Sequence, residues 1–133
     1  MATDIRLPAT LQAPRLARRA LESTLGAALS AEALDVVKLL TSELVTNCVK
    51  YADLAANSWI GLSMGAMHDT IRIAVCDPGP GFDVSVAPMV RPWPLQQRGR
   101  GLALVAQLSA RWGTARGAWF EVWFEVPYGQ PSS

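Results

Sequence analysis

The chain has 133 residues, 50% of them apolar and 17% charged, enough for one buried core without staples, since folding removes roughly two thirds of the surface of a domain this size. Two cysteines and one histidine cannot build a disulfide framework or complete a Cys/His zinc cage. Twelve basic against eleven acidic residues leave a net charge of +1, which argues against a general electrostatic grip on nucleic acid; no apolar run approaches the ~18 residues that cross a bilayer.

The first twenty residues lack the apolar centre of a signal peptide and carry Arg6, Arg15, Arg18 and Arg19. The expectation is a soluble protein of a reducing, cytoplasmic compartment, folded over residues 1–128 with a flexible polar tail at 129–133. Ile5 and Leu7 alternate with polar neighbours and predict a short first strand. Pro14 suits a helix start, and Leu16, Ala20, Leu21, Thr24 and Leu25 then recur at helical spacing up to Gly26.

Ser30 reads as the N-cap of a second helix, with Glu32 in its first turn. That helix is expected to run to about Ala52, with Ala33, Val36, Val37, Leu40, Leu44, Cys48 and Tyr51 on one side. Glu43, Asn47 and Lys50 form one stripe along its border, at spacings of four and three. This is either the point where the buried face opens into a polar cavity or an ordinary solvated edge.

After Asp53 the period becomes two. Ile60, Leu62, Met64 and Ala66, then Ile71, Ile73 and Val75, alternate with smaller or polar residues around the turn Met67-His68-Asp69-Thr70, which predicts a hairpin. The second strand ends in Asp77-Pro78-Gly79-Pro80-Gly81. A carboxylate there can accept from an exocyclic amine, with glycines admitting a flat ring; the same string also favours a plain Asx turn.

Phe82 to Arg98 shows neither period and contains Pro88, Pro92 and Pro94, as expected of a functional or mobile loop. Gly99-Arg100-Gly101 then precedes a predicted helix from Leu102 to about Ala110. A glycine-rich helix start with arginines is an anion site or a flexible joint. It is neither a Walker loop nor a dinucleotide turn, because Gly-Lys-Ser/Thr is missing and no strand precedes it. Phe120, Val122, Phe124 and Val126 alternate with Glu121, Trp123 and Glu125 in a last strand, with Trp112 to Arg116 as its hairpin partner. His68, Cys48 and Cys76 read as a solvated turn residue and two inert thiols. The architecture expected is an α+β two-layer sandwich, a mostly antiparallel or mixed sheet with three main helices on one face.

The order Glu43-Leu44-Val45-Thr46-Asn47-Cys48-Val49-Lys50-Tyr51-Ala52, Asp77-Pro78-Gly79-Pro80-Gly81, Gly99-Arg100-Gly101-Leu102-Ala103-Leu104-Val105 resembles the three nucleotide-binding boxes of the GHKL ATPase superfamily. It is most similar to the single-domain anti-sigma-factor serine/threonine kinases. The resemblance implies a Bergerat ATP-binding fold using ATP and Mg²⁺. It makes Glu43 the catalytic carboxylate that orients or deprotonates the attacking hydroxyl and Asn47 the Mg²⁺ ligand. Asp77 would read the adenine amine, with Gly79 and Gly81 shaping the pocket floor. Gly99, Arg100, Gly101 and Leu102 would cradle the phosphates, with Lys50 a further phosphate contact, and Phe82 to Arg98 would be the ATP lid.

The partners implied are a sigma factor and an antagonist protein phosphorylated on Ser or Thr, with homodimerisation through the amino-terminal region and no direct contact with nucleic acid or membrane. The family commonly has glycine where Arg98 stands, and Gly-Lys-Thr near Phe120 and Glu121. These departures keep open an alternative, a non-catalytic partner-switching module with weak or no ATP binding.

Overall fold

A computed structural model describes residues 2–51, 57–79 and 95–129. The described residues form strands β1 (Ala2–Pro8), β2 (Trp59–Ala66), β3 (Thr70–Asp77), β4 (Arg111–Arg116) and β5 (Phe120–Pro127), and helices α1 (Ala13–Leu25), α2 (Ala31–Tyr51) and α3 (Leu95–Leu108). The strands make one sheet, ordered β1-β2-β3-β5-β4, and every neighbouring pair is antiparallel. The last hairpin therefore folds back so that β5, not β4, lies beside β3.

This register sets one face of the sheet. Ile71, Ile73 and Val75 sit opposite Val126, Phe124 and Val122, and Met64 and Leu62 lie on the other side of the same row. All of them are buried in the core with Leu21, Leu40, Val45 and Val105 from the helices. Each such side chain contributes about 1.5–3 kcal/mol when removed from water. Asp77 continues the inward row 71, 73, 75 and pairs with Phe120, so a carboxylate ends a line of aliphatic side chains beneath the helices.

The helices seat through different means. In α1 the buried column is Ala13, Ala17, Leu21 and Leu25, not the column containing Leu16 and Thr24. Alanines let the helix sit close, while Leu16 stays at the rim, 37% exposed. In α2 the expected residues Ala33, Val37, Leu40, Leu44 and Cys48 are buried, joined by Thr41 and Val45; Val36 is only partly buried. Ser30 caps this helix, its hydroxyl accepting the Ala33 N–H at 3.0 Å, and the Ser30 N–H donates to the Tyr128 carbonyl.

The third helix corrects an expectation. It begins at Leu95, not Leu102, and ends at Leu108, so Gly99, Arg100 and Gly101 lie inside its first turns. Leu95, Gln96, Gln97 and Arg98 are good helix formers that follow Pro94, and glycine within a helix costs only roughly 0.5–1 kcal/mol. The expected ATP lid falls mostly at residues 80–94, which are outside the described residues, as are Gly81 and the side chains of residues 95–100 and of Tyr51.

The sheet's other face carries a polar network that strand alternation did not reveal. Glu125 is buried at 2% exposure, and register places it opposite both Arg72 and Arg111. Its Oε2 accepts from Arg72 Nη2 at 2.6 Å and Nε at 2.9 Å. Arg111 Nη2 lies 3.0 Å from both carboxylate oxygens, and the Thr70 hydroxyl donates to Oε1 at 3.0 Å. Burial alone would raise this carboxyl; the Arg72, Arg111 and Thr70 hydrogen bonds outweigh it and hold it below the usual carboxylate value. Arg72 also stacks 4.1 Å from the Trp123 ring centre.

Candidate functional site

The Glu43, Asn47, Lys50 stripe lies on the second half of α2, where α3 packs against it. Glu43 and Asn47 are half-buried and Lys50 is exposed, in the last turn where a cation complements the helix dipole. Gly101 of α3 sits directly on this stripe. A Cβ built on it would lie 3.2 Å from Asn47 Nδ2 and 3.6 Å from both Cβ and Oε2 of Glu43. Glycine lets the α3 backbone come this close to the carboxamide without the tip of Asn47 having to give way.

The Asn47 Nδ2 atom is buried and has no hydrogen-bond partner among the described residues. Such a donor costs on the order of 1–3 kcal/mol when left unmet, which marks the spot as one where a ligand acceptor would be welcome. Half a turn of the carboxamide exchanges donor for acceptor, so the same side chain can offer Nδ2 to a phosphate oxygen or Oδ1 to a hard cation.

Asp77 joins this stripe through the neighbour of Asn47. Its carboxylate, 6% exposed, accepts the Cys48 thiol at Oδ2, 3.1 Å away, and the Gly79 N–H at Oδ1, at 2.7 Å. The Gly79 bond is the Asx turn that the Asp-Pro-Gly string favours. It does not exhaust the group: an ionised carboxylate has about four acceptor positions, so the same Asp77 can still receive a donor from a ligand. The strand end, α2 and α3 thus bring Glu43, Asn47, Asp77, Gly79 and Gly101 to one junction.

Leu102 is fully buried in the core, so its side chain serves packing. Gly99 and Arg100 share the first turns of α3 with Gly101. The helix amides without an intrahelical acceptor belong to residues 95–98, not to the glycines.

Phe120 and Glu121 separate cleanly. Phe120 is buried opposite Asp77, on the helix side, with Arg116 5.0 Å from its ring centre. Glu121 pairs with Cys76 on the opposite face, so it does not crowd Asp77. Burial, with Glu121 and Asp77 adding to it, pushes the Cys76 thiol above its ordinary value, which keeps it protonated and unreactive. His68 is exposed in the β2–β3 turn. Sequence reasoning missed the Cys48–Asp77 bond, because a cysteine on an apolar face looks like packing and the strand ending beside it is 29 residues away in the chain.

Among the described residues no three His, Cys, Asp or Glu side chains cluster as a metal site, and no helix is long and apolar enough to cross a membrane. A model of the histidine kinase-like ATPase domain matches residues 7–117. No curated protein matches the sequence significantly. Among solved structures, the RsbU and RsbW domains of Rv1364c from Mycobacterium tuberculosis superpose with a TM-score of 0.74 at 20% identity, over 99% of this chain and 34% of that one. The present chain thus spans about a third of that protein's length. The histidine kinase domain of the blue-light activated kinase EL346 from Erythrobacter litoralis gives 0.57 at 22% identity, over 88% and 60% of the two chains. The catalytic domain of the histidine kinase ThkA gives 0.58 at 13% identity, over 96% of each.

Proposed function

The chain belongs to the histidine kinase-like ATPase domain family, and on that premise we propose that it binds ATP with Mg²⁺ at the junction of α2, β3 and α3. We further propose that it acts as an anti-sigma-factor serine/threonine kinase, passing the γ-phosphoryl group to a Ser or Thr of an antagonist protein and sequestering a sigma factor when the antagonist is phosphorylated. The observation that carries the reading is the partnerless Asn47 amide held against Gly101 beside Glu43, with Asp77 bonded to Cys48, the next residue of α2. The RsbW-containing neighbour supports the anti-sigma assignment.

Phosphoryl transfer through a loose transition state asks mainly for positioning and charge neutralisation. Asp77 would accept the adenine amino group with the acceptor positions that Cys48 and Gly79 leave open. Gly79 and Gly81 would let the ring approach the backbone. Asn47 would hold Mg²⁺ through its carboxamide oxygen, the remaining ligands coming from phosphate and water, as suits a hard cation that keeps its waters. When bound, Mg²⁺ supplies neutralisation of phosphate charge. Lys50, Arg100 and the positive end of α3 would meet the phosphates, with Gly99 and Gly101 in the first turns of that helix.

Glu43 would orient the substrate hydroxyl toward the γ-phosphorus and take its proton as the new O–P bond forms and the bond to the ADP oxygen breaks. A carboxylate is a weak base, but one placed within a turn of the metal ligand suffices for a positioned hydroxyl. The setting is the cytoplasm, where sigma factors act. Labelled ATP mixed with the protein and its candidate antagonist should give transfer that Glu43→Ala abolishes; transfer undiminished by that substitution removes the role of Glu43.

A second reading rests on Phe120. An aromatic ring opposite Asp77, in the stretch where the family commonly has Gly-Lys-Thr, favours a partner-switching module that binds protein with little or no nucleotide. It predicts a defined protein complex and no heat on titration with Mg-ATP.

A further inference from the structure

The thiol of Cys48 is the contact that connects the metal-ligating helix with the nucleobase acceptor. Cys48 follows Asn47 directly, is 7% exposed, and places Sγ 3.1 Å from Asp77 Oδ2. The other carboxylate oxygen is fixed by the Gly79 N–H. The carboxyl plane of Asp77 is therefore held from two sides, by the helix at one oxygen and by its own turn at the other. The turn bond acts on Oδ1 and the thiol on Oδ2, so the two together define the carboxyl plane.

We propose that Cys48 is a positioning residue for purine recognition, its S–H orienting Asp77 so that the remaining acceptor positions face a ring-bound amino group and select 6-amino over 6-oxo purines. The inference rests on the nucleotide reading above. An ionised carboxylate offers only acceptors, so it pairs with the amine of adenine and opposes the carbonyl oxygen of a 6-oxo ring. Sites built to satisfy one polar group reject its absence or inversion far more strongly than a change in bulk. Without the thiol, Oδ2 loses a buried partner and the carboxylate is held by the Gly79 N–H alone, so the amine is met less well although the rest of the nucleotide is untouched.

The test compares ATP with purine riboside triphosphate, which lacks the amino group, by calorimetry on the full chain. Cys48→Ala should weaken ATP roughly five- to tenfold, the effect of losing one well-made hydrogen bond. It should change the amine-free nucleotide by less than about twofold, since no bond to Asp77 is at stake there. Cys48→Ser, which keeps a donor at nearly the same place, should restore most of the ATP affinity. Equal weakening of both nucleotides would show a packing role and overturn the proposal, as would an unaltered ATP affinity. If the unsubstituted protein binds neither nucleotide, the nucleotide reading itself falls and this inference with it. If it binds both equally, only the amine contact fails. The infrared S–H band gives a check that needs no folded Cys48 variant: in the difference spectrum against Asp77→Ala, a hydrogen-bonded band should move to higher frequency. A band indifferent to Asp77→Ala overturns the contact.

Discussion

Replacing Gly101 with alanine separates the stability of the fold from the use of its site. Gly101 is buried within α3, where alanine is favoured over glycine by about 1 kcal/mol. The added Cβ would lie 3.2 Å from Asn47 Nδ2, so the carboxamide must give by a few tenths of an ångström, and 3.6 Å from Glu43 Oε2 is ordinary contact. The Asn47 end is a side-chain tip, not backbone, so the displacement consumes only part of the helical gain. The net expectation is a stabilisation of about 0.5 kcal/mol, a rise in Tm of roughly 2 °C for a domain of this size. Function should move the other way. The methyl group occupies the gap between carboxamide and carboxylate and turns Asn47 away, and Mg-ATP affinity should fall at least about tenfold, equivalent to ~1.4 kcal/mol. Thermal melts and calorimetry on the same preparation read both quantities. A more stable protein with unchanged Mg-ATP affinity would refute the assignment of this gap to the nucleotide.

Two further substitutions probe the orphaned amide and the outer network. Asn47→Ala removes a buried donor without a partner, so stability should hold or rise by up to about 1 kcal/mol, while the enhancement of ATP binding by Mg²⁺ disappears; urea melts and titrations with and without the metal check this, and a loss beyond ~1 kcal/mol would contradict it. Glu125→Gln leaves Arg72 and Arg111 facing an uncharged group. With those arginine side chains 37% and 65% exposed, the cost should be about 2 kcal/mol, below the 3–5 of a fully buried pair. Because the folded state holds Glu125 below its ordinary value of 4.5, its contribution is complete above that pH and is lost as pH falls through the depressed value. The acid limb of the stability curve should therefore be shallower in Glu125→Gln, and an identical limb in both proteins would refute the pairing.

The sheet was largely legible because its inner face alternates without interruption, from Ile60 through Val75 and again from Phe120 to Val126. The α2 start was legible from Ser30, whose cap bond is present. The order of the three boxes pointed to the fold, and the family match over residues 7–117 agrees with it. What escaped depends on tertiary neighbours. The choice between the Ala13 and Leu16 columns of α1 depends on how closely that helix seats, which spacing does not encode. Gly99 and Gly101 looked like a break, but two glycines among good helix formers do not stop a helix. Glu125 drew no role from its place in an alternating strand, because Arg72 comes from β3, which only the non-sequential order of the sheet brings beside β5. Cys48 became a polar contact only because β3 ends beside it.

The proposed nucleotide site of Asn47, Glu43 and Asp77 is tested most directly by titrating ATP into the protein in the presence of Mg²⁺, and then into Asp77→Ala shown to be folded by circular dichroism. One equivalent of nucleotide should bind to the unsubstituted chain and essentially none to the variant. Equal heats from the two proteins, or none from the first, would contradict the account.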